Sequence, residues 1–432
     1  MKIAYITAGA AGMYCGSCMR DNTLAAALNE LGEDCLLLPT YTPLRTDEPD
    51  VSTRRIFFGG ISVYLEQKFR WLRRMPNWLD RVLSQRWLLD QVSKFAIDTR
   101  AEELAALTIS MLRGNDGYQQ REIQRLITWL KGYFRPEIIC LSNLLLSGMA
   151  PALGEDLGVS VVGTLQGDDI FLESLPAVDR AEAIRLIGLN CQRVAVFIAP
   201  CQAYADFMAG YLGLPRERFR VVYPGLNLKG FPTSPGAKKP ADQPLRVGYL
   251  ARIAPEKGLA NLMDAVSLLV KRGDVPPFEV QAAGYLGAHH RDYLAEQEAK
   301  ARAAGWVERF RYVGEPDHAG KIAFLRNLDL LSVPTDYVEP KGLYILEALA
   351  CGVPVVQPRH GSFPELLEAT GGGLLVEPGN VEALADGLAA LLADRQRRQS
   401  FGQLGQRAIH ERFTAKRMAE ETRAIFAECD GA

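Results

Sequence analysis

The sequence predicts an α/β fold of two doubly wound, Rossmann-like domains that face each other across a cleft. Short apolar runs alternate with helical stretches from end to end, which is typical of parallel strands joined by crossover helices. This series starts again after a stretch rich in proline, glycine and lysine, which has no apolar period and indicates a linker. The length of 432 residues favours two or three domains.

The first half of the chain supplies the first set of expected strands. They are Lys2–Ala8, Asp34–Leu38, Arg55–Phe58, Ile138–Leu141, Val159–Thr164 and Val194–Ile198. A helical insertion at about 66–115 interrupts the series. Within it, residues 66–94 carry seven basic and three acidic residues and three tryptophans. Such a segment either lies on an anionic membrane surface or forms helices that cover the sheet, and both alternatives stay open.

The second half repeats the strand pattern and sets the domain boundaries. Its expected strands are Leu245–Leu250, Phe278–Ala283, Phe310–Val313, Leu330–Val333 and Val353–Gln357. We therefore expect an N-terminal domain at 1–225, a linker at 226–244, a second domain at 245–405 and C-terminal helices at 406–432.

Composition limits the functions open to this chain. With 49 basic and 51 acidic residues, the formal net charge of −2 gives no chain-wide basic field for nucleic acid. No run of 18 apolar residues occurs, so we expect no spanning helix. The eight cysteines are scattered, mostly in apolar segments, which favours reduced thiols in a cytoplasmic protein over a secreted disulfide framework.

Two carboxylates flank the start of a predicted helix in the segment Thr335 to Val356. Glu339 precedes the helix, Pro340 suits its first turn, and Gly342 leaves room for a ligand at the opening amides. Glu347 follows two turns later, so both carboxylates lie along one side of a ligand at the helix N-terminus and suit sugar hydroxyls. The alternative is a capped amphipathic helix with one solvated glutamate.

Two cations lie in the turn after the strand that ends at Leu250. Arg252 and Lys257, together with the amides of the helix that starts near Gly258, suit a diphosphate, although cations in exposed turns are often only solvated. No Asp-x-Asp sequence occurs, and the five histidines lack ligand spacing. We therefore expect phosphate binding without a metal or other cofactor.

These motifs in this order resemble the family 4 retaining glycosyltransferases. The resemblance rests on Arg-x4-Lys-Gly-Leu from 252, Glu-x7-Glu from 339 and Gly-Ser-Phe-Pro-Glu at 361–365. It is strong over about 222–400 and weaker over the N-terminal half. It implies the GT-B fold, an acceptor side in the first domain, a donor side in the second, and a C-terminal helix that crosses back to the first domain.

The resemblance also implies roles for individual residues. Arg252 and Lys257 would hold the diphosphate of a nucleotide-sugar donor. Glu347 would bind the nucleotide ribose, and Glu339 would hold the transferred sugar.

Other expected donor contacts come from main-chain amides and from one position at which this sequence differs from many relatives. Amides around Gly342 and Leu343 would hold the sugar and the distal phosphate, and the loop at 361–365 would border the donor. Lys341 stands where many relatives have an aromatic residue. It is either a third cation for the phosphates or a solvated side chain.

The first domain supplies the expected acceptor side. Gly12 and Gly16 belong to a glycine-rich turn that matches the flexible loop by which such enzymes approach their substrates. Gln166 stands where many relatives have a histidine, so a titrating base is absent there. Asp168 or Asp169 would accept the proton or hold an acceptor hydroxyl, or else cap the following segment.

The resulting expectation is a retaining hexosyltransferase. It would use a UDP- or GDP-sugar and an acceptor hydroxyl on a sugar, lipid or small molecule, with peripheral membrane contact through 66–94. The alternatives are a nucleotide-sugar epimerase of the same fold and a binding protein without turnover. Cys15-Gly-Ser-Cys18 suits a redox motif or, alternatively, small residues packed near a ligand loop.

Overall fold

The chain folds into two compact units. The computed structural model describes residues 1–9, 15–53, 56, 101–234 and 243–429. These form an N-terminal unit (Met1–Gly225 and Ala415–Ala432) and a C-terminal unit (Leu226–Thr414). Each contains one parallel six-stranded sheet and its helices, so the prediction of two doubly wound α/β domains is confirmed.

Within the residues that the structure describes, the α-helices are numbered in chain order through both units. They are α1 (Gly16–Glu30), α2 (Ala101–Leu112), α3 (Gln120–Trp129), α4 (Ala150–Leu157), α5 (Asp168–Glu173), α6 (Ala177–Asn190), α7 (Gln202–Leu212), α8 (Leu259–Arg272), α9 (Arg291–Ala303), α10 (His318–Arg326), α11 (Leu343–Ala350), α12 (Phe363–Thr370), α13 (Val381–Ala393), α14 (Arg395–Arg412) and α15 (Ala415–Cys429).

The N-terminal sheet follows the expected strand series. Its strands are β1 (Lys2–Thr7), β2 (Asp34–Pro39), β3 (Ile138–Leu141), β4 (Ser160–Thr164), β5 (Val196–Ala199) and β6 (Phe219–Val221), in the order β2-β1-β3-β4-β5-β6. The sequence pattern does not predict β6, which has only three residues. The predicted strand at 55–58 and the basic segment at 66–94 lie outside the described residues, apart from residue 56.

Both faces of the N-terminal sheet are buried. Along β1, Ala4 and Ile6 pack into one apolar cluster, whereas Ile3 and Tyr5 pack into another with Phe426 of α15. The period of two follows from the pleat, and burial on both faces explains why these strands are nearly continuous apolar runs. α15 packs on α1 and so completes the second cluster.

The C-terminal sheet positions the candidate site. Its strands are β7 (Leu245–Leu250), β8 (Phe278–Ala283), β9 (Phe310–Tyr312), β10 (Leu330–Leu331), β11 (Val355–Pro358) and β12 (Gly373–Val376), in the order β12-β11-β10-β7-β8-β9. The sequence pattern does not predict β12, which follows a run of glycines. The strand order reverses between β7 and β10, and ligand crevices form where it does so.

The unit boundaries differ from the predicted ranges at two places. Residues from Leu226 onward, which begin the predicted linker, belong to the C-terminal unit, where Leu226 pairs with Thr414 in a short parallel bridge. The predicted boundary at 405 falls inside α14, and the chain returns to the N-terminal unit only at Ala415.

Candidate functional site

The turn after β7 and the turn after β10 meet where the strand order reverses. The main-chain N–H of Asp336 donates to the carbonyl of Glu256 at 3.1 Å. Gly258 has a φ of +73°, and a Cβ on it would lie 1.7 Å from the carbonyl oxygen of Pro334. Glycine is therefore required here, and the close contact fixes the adjacent Lys257 against the second turn.

Lys257 and Glu339 form an ion pair across these two turns. Lys257 Nζ lies 2.9 Å from Glu339 Oε2, and the side chains are 16% and 5% exposed. Tyr337 Oη accepts a hydrogen bond from Lys257 and donates one to Glu339. Lys257 Nζ also lies 4.7 Å from the centroid of the Tyr337 ring, a cation–π distance. The sequence motifs point to the two charged residues but not to Tyr337.

Glu339 is held ionised. Burial raises the pKa of a carboxyl, but Lys257, the Tyr337 hydroxyl and Lys341 outweigh burial and lower the pKa of Glu339 to about 2. At neutral pH its carboxylate accepts hydrogen bonds only. It is therefore suited to binding hydroxyl groups.

The N-terminus of α11 begins directly after Glu339. Gly342 caps the helix with a left-handed φ of +62°, and the main-chain N–H of Lys341 donates to Glu339 Oε1 at 3.3 Å. The N–H of Ile345 already donates to the Gly342 carbonyl at 2.9 Å, so the amides of Leu343 and Tyr344, which open the helix, are the ones that can attract an anion such as phosphate. The following loop supports this arrangement, since the N–H of Ser362 donates to the Glu339 carbonyl at 2.9 Å.

Glu347 forms a second buried ion pair, with a residue that the sequence motifs do not indicate. Lys321 Nζ lies 2.5 Å from Glu347 Oε1, and the two side chains are 10% and 8% exposed. A lysine among the apolar residues of α10 is the only sequence signal for this partner.

Arg252 lies in the same turn as Lys257 but pairs differently. Its Nη2 lies 2.9 Å from Glu256 Oε1, and both side chains are about 40% exposed. The buried Tyr249 hydroxyl is within 3.2 Å of the Arg252 carbonyl and 3.3 Å of the Lys257 carbonyl, which shapes the turn. Arg252 thus shares the turn but not the Glu339 ion pair.

The acceptor-side candidates lie in the N-terminal unit. Gly12 is outside the described residues, and Gly16 is the first residue of α1. Asp168 Oδ1 accepts from the N–H of Leu144 at 2.6 Å, and its Oδ2 accepts from the N–H of Gln166 at 2.9 Å. Burial raises the pKa of Asp168 to about 6, against the opposing effect of these amides.

Gln166 and Asp169 are also tied into the protein. Gln166 Nε2 donates to Asp21 Oδ1 at 2.7 Å and to the Ser142 carbonyl at 2.9 Å. Asp169 accepts a hydrogen bond from the Tyr204 hydroxyl. The contacts of Gln166 with Ser142 and of Asp168 with Leu144 join the turns after β3 and β4, whereas Asp169 joins α5 to α7. Both main-chain partners of Asp168 precede α5 in the chain, so the carboxylate holds the turns before that helix and not the segment that follows.

Asp21 is a buried carboxyl that the sequence motifs do not indicate. It accepts hydrogen bonds from Tyr5 Oη at 2.7 Å and Thr7 Oγ1 at 3.0 Å, and Arg20 Nη1 lies 3.8 Å away. An acidic residue inside α1 has no distinctive spacing, so only the structure identifies this network.

Three further features of the described residues concern metal binding, membrane crossing and the cysteines. Within the described ranges, no cluster of three or more histidine, cysteine, aspartate or glutamate residues is arranged to hold a metal ion. Among the helices that the structure describes, none has both the length and the apolar character needed to cross a membrane. The eight cysteines, including Cys15 and Cys18, are all thiols.

Both halves of the chain match known protein families. Residues 231–408 match the family described as Glycosyl transferases group 1, and residues 22–225 match the Glycosyl transferase 4-like domain.

Individual relatives cover parts of the chain. A phosphatidyl-myo-inositol mannosyltransferase of Mycobacterium leprae (strain TN) is 32% identical over 155 residues, 36% of this chain and 39% of that protein. The lipopolysaccharide core biosynthesis mannosyltransferase LpsB of Rhizobium meliloti (strain 1021) is 30% identical over 230 residues, 50% of this chain and 62% of that protein. The matches thus span less than two thirds of either relative.

Solved structures extend the similarity to the whole chain. The crystal structure of Anabaena HepE in complex with UDP-glucose aligns with a TM-score of 0.66 and 18% identity over 99% of both chains. Similarity at this identity concerns the fold, and it confirms the GT-B class expected from the sequence.

Proposed function

Because this chain belongs to the family 4 glycosyltransferases of the group 1 type, we propose that it is a retaining, metal-independent hexosyltransferase. It moves a sugar from a UDP- or GDP-sugar to an acceptor hydroxyl. The observation that carries this proposal is the buried Lys257–Glu339 ion pair beside the N-terminus of α11.

The chemistry follows from the charges in that turn. As the glycosidic bond to the diphosphate breaks, negative charge grows on the leaving oxygen. Lys257, Arg252 and the first amides of α11 stabilise this charge without a metal. The ionised Glu339 accepts hydrogen bonds from hydroxyls of the transferred sugar, and Lys341 adds positive charge beside it. Attack on the same face as the departing phosphate retains the anomeric configuration.

The acceptor side is assigned to the N-terminal unit. Gln166 and Asp169 follow β4 at the carboxyl edge of its sheet, where open parallel sheets bind ligands. The acceptor is a sugar, lipid or small molecule with a hydroxyl. The basic residues of 66–94 support a cytoplasmic enzyme with peripheral contact to the membrane.

A ligand screen followed by product analysis tests this function. In the presence of EDTA, we expect a UDP- or GDP-sugar to raise the melting temperature. A ligand at 100 times its dissociation constant adds about 2.7 kcal/mol to the free energy of unfolding. With a labelled donor, mass spectrometry should find the sugar on an acceptor. Absence of stabilisation by every nucleotide sugar, or release of an isomerised donor without acceptor, contradicts the proposal.

A further inference from the structure

Lys321 connects a second helix to the donor side of the C-terminal unit. It lies on α10, next to the buried Ile322 and one turn before the buried Leu325, and α10 packs against α11. From there its ammonium group reaches Glu347, one turn into α11, with Nζ 2.5 Å from Oε1.

The stability of the fold does not by itself account for this pair. Desolvating a lysine and a glutamate costs several kcal/mol per ion, and the mutual attraction of a buried pair often only offsets that cost. An apolar pair of similar volume packs between two helices at no such cost. A ligand that uses the carboxylate gives a reason for an ionised glutamate here.

The pair repeats an arrangement that is found just before the same helix. Before α11, Lys257 neutralises Glu339, and inside α11, Lys321 neutralises Glu347. Each lysine comes from a different element and contacts one oxygen of its carboxylate. Lys321 Nζ contacts Oε1 of Glu347, so this lysine holds the carboxylate in place on α11.

We propose that Lys321 is a positioning residue for the donor nucleoside, which holds the Glu347 carboxylate in place so that it accepts hydrogen bonds from the ribose hydroxyls. This inference rests on the proposed function, and it names a ribonucleoside diphosphate as the ligand class. Removal of the Lys321 ammonium takes away the cation that holds this buried carboxylate, so the carboxylate no longer keeps its position on α11.

Nucleotide binding to Lys321 variants tests the inference. Isothermal titration with UDP, GDP and their 2′-deoxy analogues gives the preference of each variant for a ribose over a deoxyribose. We expect Lys321→Met to weaken the preferred ribonucleotide about tenfold, because a hydrogen bond to a charged group is lost. The ratio of the dissociation constants for the 2′-deoxy and ribose forms should fall close to one. Lys321→Arg should keep most of the preference.

The matched control is Lys300→Met, which removes a lysine from an exposed lysine–glutamate pair on α9. It should leave both affinity and preference unchanged. If Lys321→Met does not fold, Glu347→Gln tests the same preference from the partner side, with the same expected loss.

The outcomes separate this inference from the function on which it rests. A lower melting temperature with an unchanged preference for ribose means that the pair only stabilises the fold and overturns the inference. Failure of the unaltered protein to bind UDP, GDP or any of their sugars contradicts the proposed function. A third outcome is that the protein binds a nucleotide, that Lys257→Ala lowers this affinity, and that Lys321→Met keeps the preference for ribose. In that case only the inference fails.

Discussion

Lys257 and Glu339 neutralise each other's charge where both side chains are largely buried. Glu339 is 4% exposed, so its carboxylate loses most of its hydration and needs a nearby cation and hydrogen-bond donors. Lys257 and the Tyr337 hydroxyl supply them. The same contacts hold the lysine in place before a ligand arrives, so little reorganisation accompanies charge development.

Removal of the Lys257 ammonium should therefore slow the reaction rather than unfold the protein. We expect Lys257→Ala to lower turnover by about 100-fold, since one well-placed donor contributes on the order of 3 to 4 kcal/mol to barrier lowering. Steady-state kinetics with saturating donor measures this effect. Lys300→Ala, on an exposed ion pair, is the control. Turnover in Lys257→Ala close to that of the control contradicts the role of Lys257.

The pKa of Glu339 predicts a pH dependence of stability. Because this pKa is lowered from 4.5 to about 2 on folding, ionised Glu339 stabilises the fold above about pH 4.5, and the contribution is lost as the pH falls toward 2. Urea unfolding of the wild type and Glu339→Gln should therefore show a free-energy difference that is constant at neutral pH and shrinks below about pH 5. A difference that grows on acidification argues against an ionised Glu339.

Asp168 either accepts a proton during the reaction or holds main-chain N–H groups in place, and one substitution separates these two roles. Both oxygens accept main-chain N–H groups, and an asparagine would turn an NH₂ toward one of them. We expect Asp168→Asn to lower the free energy of unfolding by about 1 to 3 kcal/mol, measured by urea titration. If instead stability is unchanged and kcat alone falls, Asp168 serves as the proton acceptor.

The sequence motifs identify the charged residues of the site, but they do not identify the residues that contact these charges. Glu339 and Lys257 follow strands and precede helices, so their proximity can be predicted from the rules of parallel sheets. Lys321 and Asp21 lie inside helices without special spacing, and their partners are distant in sequence. Only tertiary packing shows which carboxyl each of them meets.

At the level of elements, turn geometry places the site. Gly258 and Gly273 flank α8 and both have left-handed φ angles, +73° and +65°. A Cβ on Gly258 would overlap the Pro334 carbonyl, whereas one on Gly273 would have no atom within 4 Å. The two positions therefore share the conformational strain but not the steric clash.

Alanine at these two glycines should separate strain from clash. We expect Gly273→Ala to cost about 1 to 2 kcal/mol of stability, the typical penalty for a left-handed residue. Gly258→Ala should cost more, because main-chain atoms of the second turn must also move, and it should weaken donor binding. Thermal unfolding and nucleotide titration measure both effects. If both variants lose the same amount of stability, a steric clash at position 258 is contradicted.

The strands that sequence predicts are those with long apolar runs. β7 and β8 each have six residues, and their buried positions leave a clear signal. β6 has three residues with an exposed central arginine, and β12 begins at Gly373, where a Cβ would lie 2.2 Å from the Val355 carbonyl. Short length and glycine remove the pattern, so only pairing with a neighbouring strand defines these two.

At the scale of the whole molecule, the N-terminal unit depends on both ends of the chain. α15 returns to it and buries Met418 and Phe426 in the cluster with α1 and β1. The apolar spacing of α15 predicts a helix, but the residue at which the chain returns, Ala415, depends on where α14 ends.

Truncation of one α15 side chain tests this dependence. Phe426 is fully buried, so Phe426→Ala should lower the free energy of unfolding by about 3 to 5 kcal/mol. Val178→Ala, at a side chain that is 83% exposed in the same unit, should change it little. Urea unfolding measures both. A small effect at Phe426 would show that α15 contributes little to the unit.

The most direct test of the donor site is a crystal structure of the protein with a bound UDP- or GDP-sugar, grown in the presence of EDTA. We predict diphosphate oxygens about 3 Å from Lys257 Nζ and from the first amides of α11, and sugar hydroxyls on Glu339. A donor bound elsewhere, or one whose diphosphate contacts neither Lys257 nor α11, contradicts the account.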